Sequence, residues 1–390
     1  MWIIVIMTSS HSPTSFLGLY YPPDSFKTRF CIRGRSLLKD YCQTRSVPVA
    51  WPGKLVVATG QAQTQYIEKL HSHAQILANL GPGHPPPRTK LISGDEARIM
   101  QPDLSNEITA ALLSHDTGIV DSHTLMQALE ADIGESEGGD LALGTSVVRV
   151  DPVTGPEQGW VVQVVTGDSN ATQGDAIFAR NLINASGLSA NLVLNSLARS
   201  KNDQVPLYFA RGSYASYRGP GVGKVSTLIY PVPVMGGKKN DHGFHGLGTH
   251  LTLDMGGNVR FGPDVEWIEP RVGTEEDETT IGFWQEYLRP EEDHKKLQAM
   301  HEAVTEFLPG VKLDGLSIDY AGIRPKTGQP TSGFQDFEFR INYANGTDST
   351  SEGPMITLLG IESPGLTSAL AIAEHVEVLL YRDDSNEFKE

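Results

Sequence analysis

The chain has 390 residues, 39% of them apolar and 20% charged, and a formal net charge of −16 at pH 7. That make-up is of a globular protein long enough for two domains and a sizeable core. The acid excess disfavours nucleic acid and anionic membrane as partners, and no run approaches the ~18 apolar residues that cross a bilayer.

The opening heptad MWIIVIM has no basic flank before it and no cleavage pattern after it, so it does not read as a signal peptide. A polar, then aromatic, loop follows. Ser25 is placed to cap a helix running to about Tyr41, with Phe26, Phe30, Leu37, Leu38 and Tyr41 as its buried face. Arg29, Arg33 and Arg35 are expected on its solvated side. The two cysteines, Cys31 and Cys42, lie eleven residues apart here. On a helix that separates them by ~16 Å, beyond the ~7 Å Cα spacing of a disulfide, so a reducing compartment and no cysteine-based metal site are expected.

Lys54–Thr59 (KLVVAT) reads as a strand and Ala62–Leu80 as a helix, ended by the loop GPGHPPPR. Ser93 and Glu96 form a capping box for a short helix. Ala110–His115 is strand-like, and Asp121 or Ser122 caps a helix over His123–Ile133. Three strand-like runs, Ser146–Val150, Trp160–Thr166 and Ala176–Asn184, are separated by turn residues and suggest a meander.

The last run continues through NASGL into a helical segment. Met355–Leu359 does the same through Gly360–Gly365, after which Leu366, Leu370, Ala373, Val376 and Leu380 repeat at helical spacing. Two such turns suggest a doubly wound α/β unit with its ligand along the carboxyl ends of the strands. Between them, Val205–Trp267 is rich in short Tyr-, Gly- and Pro-containing runs, the pattern of antiparallel sheet. Pro290–Phe307 is an amphipathic helix, and SIDYAGIRPKT returns to strand. The expected division is a discontinuous cofactor unit (residues 1–50, 110–204 and 312–390) with an inserted substrate unit (51–109 and 205–311).

No G-x-G-x-x-G, Walker A, H-E-x-x-H, EF-hand or G-x-S-x-G pattern occurs, and no metal site is expected. The helix begun at Gly365 directs unpaired N–H groups at whatever lies above the strand, which suits a phosphate, a carboxylate or the N1–C2=O edge of a reduced flavin; the same shape also closes an α/β core with no ligand. Arg324, between an apolar strand residue and a proline, suits a carboxylate receptor or an internal salt bridge. His250, on a strand beside Gly248, suits removal of a hydroxyl proton or a satisfied core position. Tyr214, Tyr217 and Tyr230 suit a pocket wall or core packing.

The segments LYYPPDSFKTRFCIRG, GKLVVAT, DTGIVDSHTLMQAL, NASGL, LIYPVPV, LGTHLTLD, RFGPDVEW, YAGIRPK and LLGIESPGLTSALAIAEHV together resemble the FAD-dependent L-2-hydroxyglutarate dehydrogenases, of the D-amino-acid-oxidase-like superfamily. The likeness runs from about Tyr20 to Val376; FGPDVEW and GIESPGLTSALAIAE are specific, NASGL is shared by many flavoproteins. It implies an α/β fold: a Rossmann-like FAD domain of glutathione-reductase type with an inserted antiparallel-sheet substrate domain. It implies oxidation of L-2-hydroxyglutarate to 2-oxoglutarate, with the C2 hydride passing to flavin N5. Gly187 would lie near the FAD diphosphate and Val147 near the adenine. Gly360, Pro364, Gly365, Leu366 and Thr367 would border the isoalloxazine, with Ser9 and Ser10 in the loop beside it. Arg324 would bind a substrate carboxylate, with Tyr214 and Tyr230 lining the pocket, and His250 would take the hydroxyl proton. The partners implied are a small dicarboxylate and an unidentified electron acceptor, and the location is mitochondrial.

Two departures stand out. The family opens with a strand, G-x-G-x-x-G, a helix and a strand ending in an acidic residue, and here only MWIIVIM precedes the flavin-side loop. Where the family reads close to S-R-N-S-E-V-I-H-A-G-L-Y-Y, this chain has SSHSPTSFLGLYY. An N-terminally shortened member is therefore expected. The alternatives are a relative oxidising an amine or glycerol phosphate, and a non-catalytic homologue that no longer binds FAD.

Overall fold

In the computed structural model the described residues are 2–6, 18–77, 86–167, 174–233, 248–268, 281–289, 293–346 and 353–381. Ser9 and Ser10, residues 81–85 of GPGHPPPR and residues 269–280 lie outside them.

Two sheets carry the site. In the smaller one, strands Trp2–Ile6, Asn181–Ala185 and Met355–Leu359 run parallel, and Glu338–Asn342 closes the edge antiparallel. The middle strands carry buried apolar side chains on both faces because both are covered. Ile356 meets Ile372 and Val376 of the helix Gly365–Leu380, with Phe26 and Phe30 of the helix Phe26–Thr44 alongside. Leu182 and Met355 meet Val150, Trp160 and Val162 of the meander Thr145–Val153, Gly159–Thr166 and Asp175–Ala179. The run expected as one strand over Ala176–Asn184 is thus two: Asp175–Ala179 ends the meander, and Asn181–Ala185 enters the parallel sheet.

The larger sheet has nine strands. Leu228–Pro231 pairs parallel with Lys54–Thr59 on one side and antiparallel with His250–Leu253 on the other. Val259–Gly262 and Tyr208–Tyr217 follow, and Leu316–Lys326 pairs along the outer edge of the latter. Residues 110–114 of the strand Ile108–Ser114, and the strand Leu316–Lys326, fall by number in the expected cofactor unit, and both strands hydrogen-bond into this larger sheet. Strand residues alternate between faces, and the register sorts them. Leu55, Ile229, Leu251, Phe261 and Ala215 line up on the face that packs on helices Gly60–Ile76 and His294–Thr305. The opposite face carries Tyr230, His250, Gly262 and, next along, Tyr214, with Lys54 two residues before Tyr230's partner Val56.

Helix boundaries differ modestly from expectation. The second helix runs Gly60–Ile76, the fourth is Ser122–Glu135 capped by Asp121, and the amphipathic one is His294–Thr305 capped by Asp293. Ile281–Leu288 is a further helix with no counterpart in the sequence reading. The first helix is capped by Ser25 as expected, but it is covered on more than one side. Lys27, Thr28, Cys31, Ile32, Gly34 and Arg35 are buried, so Arg35 is not on a solvated face; it pairs with Asp116 at 3.5 Å. Both cysteines are buried on this helix, too far apart along it to pair with each other.

At Gly34 the same helix crosses the terminal helix closely. A Cβ on Gly34 would lie 2.2 Å from the Thr367 carbonyl oxygen and 2.9 Å from Ser368 Cα. Alanine ordinarily gains up to ~1 kcal/mol over glycine in a helix, whereas overpacking costs ~1–3 kcal/mol. Gly34→Ala is expected to lower the melting temperature despite its better propensity. A melting temperature at or above that of the parent would show that the two helices do not cross so tightly.

Candidate active site

The terminal strand ends at Leu359, and Gly360 turns the chain at φ 65°. A Cβ there would also meet Thr327 Cγ2 at 2.9 Å, so glycine is required twice over. The turn brings Glu362 inside, 5% exposed. Its Oε1 accepts from Lys27 Nζ at 2.9 Å and Lys326 Nζ at 2.8 Å. Burial pushes the carboxyl up, but Lys27, Lys326 and Arg324 outweigh it and hold it at about 2. Tyr21 donates its hydroxyl to the Ser363 carbonyl at 3.3 Å. Gly365 N–H is taken by the Glu362 carbonyl, and the first turn of the helix is left facing the end of the strand.

Next to it, the neighbouring strand is fixed to the same level. Asn184, fully buried and in register with Thr357, donates to the Ala190 carbonyl at 2.8 Å and accepts from Ser186 Oγ at 2.7 Å. Gly187 follows at φ 60°. The helix after it, Ala190–Asn195, is much shorter than its C-terminal counterpart.

Across from these turns is the polar face of the larger sheet. His250 is 4% exposed, and its ring stacks on Tyr230, its cross-strand neighbour, at 3.8 Å between centroids. Nδ1 is 3.0 Å from the Gly248 carbonyl. A carbonyl only accepts, so Nδ1 carries the proton and Nε2 is the open acceptor. Nε2 is buried with no hydrogen-bond partner among the described residues. Burial, then the charges of Lys54 and Arg324, lower this imidazole to about 3 against the help of the Gly248 carbonyl. Lys54, 1% exposed, lies with Nζ 4.9 Å from the Tyr20 ring centroid and 4.7 Å from that of Tyr230. Burial lowers it to about 8, with Cys31 opposing.

Arg324 joins the two halves. It is partly buried on the strand Leu316–Lys326, and its charge acts on both His250 and Glu362. No hydrogen bond or ion pair ties up its guanidinium among the described residues. Of the residues singled out in sequence, His250, Tyr230, Arg324 and the turn Gly360–Thr367 converge here. Tyr214 stacks on Tyr320 at 4.6 Å, farther along the same face. Tyr217 instead donates to the Pro220 carbonyl and packs on Phe261 in the main core. Val147 lies in the meander, packed on its core, and is not part of this cluster. Lys54, Lys27, Lys326 and Glu362 were not singled out. For Lys54 and Glu362 the signal was a charged residue bordering an apolar run, in KLVVAT and LLGIES. No group of metal-binding side chains occurs among the described residues.

The sequence profile of the FAD dependent oxidoreductase (DAO) family matches residues 7–378. A mitochondrial L-2-hydroxyglutarate dehydrogenase of Arabidopsis thaliana is 31% identical over 391 aligned positions, covering 95% of this chain and 75% of that protein. An L-2-hydroxyglutarate dehydrogenase of Indibacter alkaliphilus is 27% identical, covering 94% and 86%. Among solved structures, the dithionite-reduced, FAD-bound L-alpha-glycerophosphate oxidase of Mycoplasma pneumoniae superposes with a TM-score of 0.70 at 18% identity, over 98% of this chain and 88% of that one.

The Glu362 carboxylate carries a pH signature. Its folded value of about 2 lies below the ordinary 4.5, so its contribution is whole above about pH 4.5 and is lost as pH falls through about 2. Glu362→Gln leaves two buried ammonium groups facing a neutral amide, which costs ~3–5 kcal/mol at neutral pH. The stability gap between parent and variant is expected to narrow as pH falls from 5 towards 2. Denaturant curves that keep the same gap across that range would rule this out.

Proposed function

The chain belongs to the FAD dependent oxidoreductase family, and from that premise we propose that it oxidises L-2-hydroxyglutarate to 2-oxoglutarate. Its cofactor is FAD. The residues present fit a flavin: two parallel strands end side by side in Gly187 and Gly360 at positive φ, beside a helix N-terminus and the Lys27–Glu362–Lys326 cluster. Gly187 would face the diphosphate, and Gly360 with Pro364–Thr367 would border the ring. When bound, the flavin accepts the hydride equivalent from the substrate carbon.

The observation that supports this substrate is Arg324. A guanidinium and a neutral imidazole's acceptor nitrogen, both without a hydrogen-bond partner among the described residues, suit an anion with a hydroxyl on the adjacent carbon. Arg324 would take the C1 carboxylate in a two-point grip. His250 Nε2 would accept the hydroxyl proton, and Tyr230 and Tyr214 would wall the pocket. An imidazole held at about 3 is a weak base alone, but a bound carboxylate nearby raises it by ~1–3 pH units, so proton acceptance is tied to substrate binding. Reducing equivalents then leave to a separate acceptor. We place the protein in the mitochondrion on its kinship to the plant enzyme. No described helix is long and apolar enough to cross a membrane.

Anaerobic bleaching of the flavin, and dye reduction, should follow L-2-hydroxyglutarate and not its D-enantiomer, glycerol 3-phosphate, glycine or proline. Preference for any of the last three would overturn the substrate. Arg324→Met is expected to raise KM for L-2-hydroxyglutarate by ~30-fold or more, the loss of one charged contact. His250→Ala is expected to lower kcat by ~10²–10⁴ with a smaller change in KM; a kcat within threefold of the parent would remove His250 from the role of base.

A further inference from the structure

Lys54 is a cation placed where a sheet normally carries apolar side chains. It begins KLVVAT, is 1% exposed, and lies on the face of the larger sheet that carries Tyr230 and His250. Its ammonium is 4.7 Å from the Tyr230 ring centroid, and that ring stacks on the imidazole at 3.8 Å. Tyr20 supplies a second aromatic surface at 4.9 Å. Rings stabilise an ammonium by their quadrupole without cancelling its charge, so the field of Lys54 reaches the neighbouring imidazole.

The other groups around His250 act in the same sense or are neutral. The strand Leu228–Pro231 presents Tyr230, the strand Lys54–Thr59 presents Lys54, and the strand Leu316–Lys326 presents Arg324. Val259–Gly262 places a glycine opposite it, and the chain just before it offers the Gly248 carbonyl. No carboxylate acts on the imidazole among the described residues.

We propose that Lys54 is a positioning residue for His250: its ammonium, seated on the face of Tyr230, keeps the adjacent imidazole neutral and its Nε2 open to accept a proton. The proposal rests on the reading of His250 as the base and deepens it, because a base already carrying a proton is useless to a substrate hydroxyl. Arg324 cannot serve alone, since its charge is offset once a substrate carboxylate is bound, whereas Lys54 lies behind the tyrosine. The lysine remains charged at neutral pH, with its proton held up to about 8. An imidazole flanked by two cations, with no acid acting on it among the described residues, is thus receptive to one proton only while an anion occupies the site.

The test is a histidine titration by NMR on the full chain loaded with FAD, with the His250 signal assigned by its loss in His250→Asn. His250 in the parent protein is expected to be neutral at pH 5. In Lys54→Met its midpoint should rise by about 1 pH unit, and in Lys54→Arg it should remain where the parent has it. Replacing one buried cation by an apolar side chain of similar length is compatible with folding, and Lys54→Gln serves if Met does not fold. The acid limb of kcat/KM should move with the NMR midpoint. A parent His250 that titrates near 6.5, or a Lys54→Met midpoint equal to the parent's, overturns the proposal, because a merely structural lysine would leave the titration unchanged. The titration needs no substrate. A Lys54 effect without turnover of L-2-hydroxyglutarate would therefore refute the substrate and not this pairing.

Discussion

The carboxylate of Glu362, shared between Lys27 and Lys326, is the contact on which the site depends. It joins the first long helix, the last strand-to-helix turn and the outer strand of the larger sheet at one oxygen. Such a cluster adds little stability for its burial, because desolvation offsets much of the Coulomb gain. Its effect is geometric. The turn that precedes the terminal helix is held at both sides, and Arg324, two residues before Lys326, is directed at the same space. Two lysines satisfied by one carboxylate leave a net positive charge there, which is the sign that both an anionic reduced cofactor and an acid substrate require.

The larger sheet supplies the opposite wall by the simplest property of a strand, its alternation. One face is committed to the apolar core under two helices, and the other carries Tyr230, His250 and Tyr214, with Lys54 beside them. A single-residue slip would exchange these sets, putting a lysine and a histidine into the core. The register is therefore fixed by the same hydrophobic packing that makes the polar face possible.

Much of this was legible in the chain. The capping box at Ser93, the cap at Ser25, the terminal strand and helix, and the convergence of His250 and Arg324 with the Gly360 turn follow from local pattern and family likeness. What was not legible depends on contacts between distant segments. Arg35 looks solvated on a helical wheel and is buried beside Asp116, which comes from a distant part of the chain. Asp175–Ala179 and Asn181–Ala185 look like one strand because only a single residue separates two sheets. Lys54 looks like the charged start of a strand; its surroundings depend on Tyr230, which is 176 residues away in sequence and on the adjacent strand in space.

The contact between Lys27 and Glu362 spans 335 residues, and that between Tyr21 and Ser363 spans 342. A nascent chain emerges from the ribosome beginning with the helix that needs these partners and ending with the turn that supplies them. During nearly all of synthesis Lys27 has no counter-ion and Gly34 faces no neighbour. The site is consequently a late product of translation, closed only when the final helix docks. A stop codon a few dozen codons early would leave the sheet face that carries Tyr230 and His250 without the turn that stands across from it.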